Sequence, residues 1–208
     1  MAVPAFRLVP FFAGIAAVFA LLTAPQATAA ETGAASAVVG GFYDTLLATM
    51  KDGPALKFAG RFERLNSAMA TAFDLATMAR TAAGAHWPTI KPEEQKRIVD
   101  SFSRFSVASY AANFDSWSGE RFEVLKESPA ADGGIVVETR LVPKTGEPVQ
   151  FNYLLRPGDG GLRIIDVLVN GTISQLAGRR SEFASVLNRD GAKGLYEMLE
   201  SRFKKLAE

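Results

Sequence analysis

The stretch "IIDVLVNGTISQLAGRRSEF", residues 164–183, changes its period half-way along. Residues 164–169 are almost continuously apolar, as a buried strand is, and Asn170-Gly171 breaks the run with a tight turn. From there apolar side chains return at helical spacing: Ile173, Leu176, Phe183 and Leu187, with Arg180 set inside the stripe. Thr172 stands where an N-cap is needed, and Gln175 where a side chain reaches back from the third helical position. A strand that corners into a capped helix calls for a sheet with helices against it.

The sequence on both sides supplies them. Upstream, "GERFEVLKES", "GIVVETRLVPK" and "EPVQFNYLLRP" alternate apolar and polar residues, and "GGLRIIDVLVNG" follows. Asp132-Gly133-Gly134, Thr145-Gly146 and the run from Pro157 to Gly161 separate them as turns. Four strands joined by short turns read as an antiparallel meander with one apolar face.

Before Trp117 the period is helical. Val39, Phe42, Tyr43, Leu46 and Met50 share one face, as do Phe58, Phe62, Leu65, Met69 and Phe73. Asp74 and Gly84 read as the start and stop of a third helix, and Pro92 with Glu93 and Glu94 as the first turn of a fourth. That fourth helix carries Ile98, Phe102 and Phe105 on one side. Two more helices, about 173–188 and 191–206, close the chain. Residues 31–37, small and polar, are expected to fray. The class is therefore α+β: a curved antiparallel meander of about four strands, covered on one face by N- and C-terminal helices.

The first thirty residues read differently. Arg7, the apolar run Leu8–Leu22 and the small residues of "TAPQATAA" have the order of a secretory signal peptide, followed by one domain over 31–208. The apolar run is short for a membrane span, so a retained anchor is the weaker alternative. Without Arg7 the 23 Lys and Arg fall level with the 22 Asp and Glu. A chain with no net field makes a poor binder of nucleic acid. The absence of cysteine excludes disulfides, thiolate catalysis and cysteine-based metal sites.

Catalytic signatures are sparse. His86 is the one histidine, there is no Ser-His-Asp or G-x-S-x-G pattern, and no second ligand sits at zinc spacing. No metal or cofactor is expected. Asp166, in an apolar strand, is either a structural carboxylate or, with Tyr153 or Tyr110, an acid–base pair of an enzyme. Arg180 either pairs with Asp166 or in the neighbourhood of Glu182, or offers its guanidinium to a phosphate or other polar head group.

Taken together, Met78, Arg80, Gly84, Trp87, Ile164, Asp166, Gly171, Ser174, Arg180, Ser181 and Phe183 occur in an order that resembles the MlaC (toluene-tolerance auxiliary) family of periplasmic lipid-binding proteins. The corner "TISQLAGRRSEF", and Leu162 in place of a tryptophan, are similar to its hopanoid-associated HpnM branch. The resemblance implies a cone-shaped, NTF2-like fold and a non-enzymatic carrier in the periplasm. It would hold a hopanoid or phospholipid between sheet and helices and exchange it with membrane-embedded lipid transport complexes. From alternation, the expected lining is Phe102, Phe105, Val137, Leu141, Phe151, Tyr153, Leu155 and Ile164, with Asp166 and Arg180 in structural or head-group roles. Two other readings remain: the enzyme, and an accessory protein that binds a membrane complex and no small molecule.

Overall fold

Strands form where apolar and polar residues alternate: β1 (Arg121–Pro129), β2 (Ile135–Val142), β3 (Val149–Gly158) and β4 (Gly161–Val169). They pair antiparallel in chain order, and a two-residue strand, β5 (Ile173–Ser174), extends the sheet beyond β4. The computed structural model describes residues 28–208. The expected leader, residues 1–30, lies outside the described residues except for its last three.

Before the sheet come α1 (Thr28–Lys51), α2 (Gly53–Ala72), α3 (Leu75–Ala83), a 3-10 turn (Gly84–Thr89) and α4 (Pro92–Asn113). After it runs α5 (Gln175–Ala207), divided at Gly191, whose φ of 66° no helical residue adopts. The fold is α+β, with the helices on the apolar face of an antiparallel sheet.

Local chemistry accounts for most boundaries. The Asp74 carboxylate accepts the Thr77 N–H at 2.8 Å and starts α3; Gly84, at φ 57°, ends it. Pro92 opens α4 with two glutamates in its first turn. The inner face of the sheet presents Val137, Tyr153, Leu155 and Ile164, which are buried together with Val39, Leu46, Leu65, Phe102 and Phe183 from the helices. The outer face is charged: Arg140 binds Glu123 and Lys126 binds Glu138 across the β1–β2 pair.

Two local expectations are corrected. Residues 31–37 do not fray as a whole, since Ala35 is fully buried and Ser36 N–H donates to Glu127 Oε1 of β1 at 2.5 Å. Small side chains let this part of α1 approach the sheet, and the glutamate holds it there. Nor is the corner capped by Thr172 and Gln175. Ile173 and Ser174 pair with Val169 and Leu168 as β5, which delays the helix by two residues. Ser174 becomes the N-cap, its hydroxyl accepting the Ala177 N–H at 3.0 Å.

Candidate functional site

A cavity of about 360 Å³ lies between the inner face of β3–β4 and the helices α3, α4 and α5. Its strand wall is Phe122 of β1 with Phe151, Tyr153, Val167 and Val169, and its helix wall includes Met78, Phe102, Ser106, Tyr110 and Leu176. The exposed residues Asn113 and Gln175, at the C-terminal end of α4 and the N-terminal end of α5, mark its mouth. Size and apolar walls place it within the range of small-molecule sites.

The wall is stiffened by aromatic residues. Tyr110 meets Phe42 edge-on at 5.4 Å and stacks on Phe114 at 5.6 Å. Tyr43 meets Tyr153 edge-on at 5.6 Å. Thr139 donates to the Phe151 carbonyl at 2.7 Å, so the 2.5 Å contact between Tyr43 and Thr139 has the phenol as donor. Burial pushes the Tyr43 hydroxyl up to about 12 and raises those of Tyr110 and Tyr153 as well, so all three are neutral donors at physiological pH.

One charged group faces the cavity: Arg179, one helical turn inside Gln175. Its guanidinium lies 4.8 Å from the Phe105 ring centre and 6.0 Å from that of Phe102. Burial lowers its pKa from the ordinary arginine value, with Glu182 acting in the opposite sense.

Asp166 faces away from the cavity. It pairs with Leu154, whereas its neighbour Val167 pairs with Tyr153 and lines the cavity, so alternation sends the two side chains to opposite sides. Its carboxylate accepts from Val167 N–H at 2.8 Å, Ser174 Oγ at 2.5 Å and Leu176 N–H at 3.2 Å. The expected Asp166–Arg180 ion pair is not formed. Arg180 is exposed and runs over the 3-10 turn, where a Cβ on Gly84 would come within 2.9 Å of its Nε.

A family model described as MlaC protein matches residues 41–201. The chain belongs to the MlaC family. A phospholipid-binding protein from Ralstonia solanacearum, solved in complex with a phospholipid, is similar in structure, with a TM-score of 0.73 and 26% identity over 84% of this chain and 99% of that one. No curated protein matches the chain in sequence.

Within this MlaC-family fold the expected lining residues part company. Phe102, Phe151 and Tyr153 line the cavity, and Phe105 lies beneath Arg179. Val137, Leu155 and Ile164 are fully buried outside it. Phe73 bridges to Ile164, and Asp74 N–H donates to the Ile164 carbonyl at 2.9 Å, so the α2–α3 junction sits directly on that part of the sheet. Leu141 is half-buried, opposite Phe122 and Val149, and also outside the cavity.

Sequence reasoning missed Met78, Val167, Leu176 and Arg179. The signal for Arg179 was present: it lies three residues after Leu176 and four before Phe183, both buried. Counting the stripe from Ile173 selected Arg180 instead, and Ile173 is 58% exposed. Among the described residues no helix is long and apolar enough to cross a membrane, and no cluster of His, Cys, Asp or Glu is placed to hold a metal.

Proposed function

We propose that this MlaC-family protein is a periplasmic lipid carrier, exported by residues 1–30, that shields the apolar part of one lipid in the cavity between sheet and helices and shuttles it between inner- and outer-membrane complexes. The observation that carries the reading is the cavity itself, walled by Phe102, Phe151, Tyr153, Val167 and Leu176 and opening past Gln175. The lipid bound by the similar Ralstonia protein supports a phospholipid cargo. The corner "TISQLAGRRSEF", with Leu162, supports a hopanoid-like one.

Exposing an acyl chain or a fused-ring skeleton to water costs about 0.8 kcal/mol per CH₂. A carrier must therefore enclose the apolar part and leave an exit, which a cavity opening past polar side chains does. The acid–base alternative loses its motive, because Asp166 points away from the cavity with three donors on its carboxylate. The accessory-protein alternative called for a filled interior, and the cavity counts against it.

Mass spectrometry of solvent extracts from the purified protein tests the reading. A stoichiometric lipid is expected. No co-purifying lipid together with no uptake from liposomes would remove the proposal.

A further inference from the structure

Arg179 is the feature that an apolar cavity does not explain. Its side chain is half-buried, lines the cavity and lies over Phe105 and Phe102. Among the described residues no carboxylate stands within ion-pair distance of it, and no hydrogen bond holds its guanidinium. Glu182, the nearby acid, is taken by Arg202, which bonds both of its oxygens, one at 3.0 Å.

A guanidinium partly removed from water retains its charge and carries five donors in a planar fork. Aromatic faces compensate part of the lost hydration, but they accept none of those hydrogen bonds. Arg179 Nε and its amino groups thus remain as donors in a space with no anion of its own. Ser106 on α4 and Gln175, one turn before Arg179 on α5, add polar groups to the same lining.

We infer that Arg179 is an anion subsite inside the cavity, and that the ligand is an amphiphile whose single acidic oxygen group, a phosphate or a carboxylate, sits between Arg179 and the Gln175–Asn113 mouth. The inference rests on the carrier reading and sharpens it by choosing among lipids on charge. The apolar part then fills the space between Phe102, Phe151 and Val167. A planar fork over an oxyanion forms two parallel charge-assisted hydrogen bonds, which an uncharged lipid cannot replace.

The test offers the purified protein mixed micelles of an uncharged alkyl maltoside holding equal amounts of dioleoylphosphatidylglycerol, oleate and dioleoylglycerol, and then measures the lipids it carries away by mass spectrometry. The wild type is expected to take an anionic amphiphile over dioleoylglycerol by about tenfold, since one charge-assisted pair is worth at least that much. Whether phosphatidylglycerol or oleate dominates identifies phosphate or carboxylate as the anion. Arg179→Lys should keep most of the preference. Arg179→Gln should lose it while still taking up dioleoylglycerol, and Arg179→Met, which keeps the apolar stem over Phe105, should do the same. Thermal melts of each variant verify folding.

Uptake of dioleoylglycerol with no charge preference in the wild type, or the same preference in Arg179→Gln and Arg179→Met, overturns the subsite and leaves the carrier reading standing. No uptake of any lipid by the wild type overturns both.

Discussion

Ser174 and Asp166 are joined by a hydrogen bond of 2.5 Å from the Ser174 hydroxyl to Asp166 Oδ2. The hydroxyl accepts in turn from Ala177 N–H, and the carboxylate from two more backbone N–H groups. One side chain of β4 thus orders the hairpin to β5 and the first turn of α5. Asp166→Ala is expected to cost about 3 kcal/mol, because it strands donors that meet a charged acceptor. Ser174→Ala should cost about 1 kcal/mol. The double variant should cost less than the sum, and urea denaturation of all four proteins measures the coupling.

Arg180 and Arg179 are adjacent in sequence and unlike in surroundings. Arg180→Ala is expected to change stability by no more than about 0.5 kcal/mol and to leave lipid uptake intact, as an exposed side chain with no ion-pair partner among the described residues should. Gly84, beneath it, is different. Its φ of 57° makes Gly84→Ala cost roughly 1–2 kcal/mol, read as a drop in the midpoint of a urea melt.

Tyr43 makes stability sensitive to alkali. Its folded pKa, about 12, lies above the unfolded value near 10, so its share of stability is complete below pH 10 and is lost as pH rises through the folded value. The expected slope from this one residue is about 1.4 kcal/mol per pH unit between those limits. Tyr43→Phe should lower stability at pH 7 by about 1 kcal/mol and make the alkaline limb shallower by this residue's share, Tyr110 and Tyr153 keeping theirs. Denaturation midpoints from pH 8 to 12 report both effects.

Filling the cavity separates packing from binding. Ser109 is half-buried on α4 and faces the cavity. Ser109→Phe should place a ring there, remove most of the co-purifying lipid, and leave the melting temperature unchanged or raised. Mass spectrometry and circular dichroism on the same sample check the pair of outcomes.

The fold was legible because its signals are local. Alternation in "FNYLLRP" and the turns at Asp132-Gly133 and Gly158-Asp159-Gly160 fix the strands, and Asp74, Gly84 and Pro92 fix helix ends with side chains that act within one turn. The site was less legible because it depends on where two layers fail to touch. Phe151 and Leu155 share one face of one strand; a cavity lies over the first, while the second, beside the docked α2–α3 junction, is packed solid. Alternation reports the face and is silent about what covers it. The mistaken capping box has the same origin: Ser174 outcompetes Thr172 because β4 lends it a partner, and that partner is non-local.

The paired charges on β1 have a bearing beyond the fold. This strand is the outermost long edge of the sheet, and Arg121, Glu123, Lys126 and Pro129 lie along it, with a bulge between Val124 and Lys126. A bare, flat edge would offer its amides to any other extended segment. Charge, a proline and a local kink blunt that tendency. Copies of the chain that meet in solution are thereby guarded against stacking edge to edge into fibres.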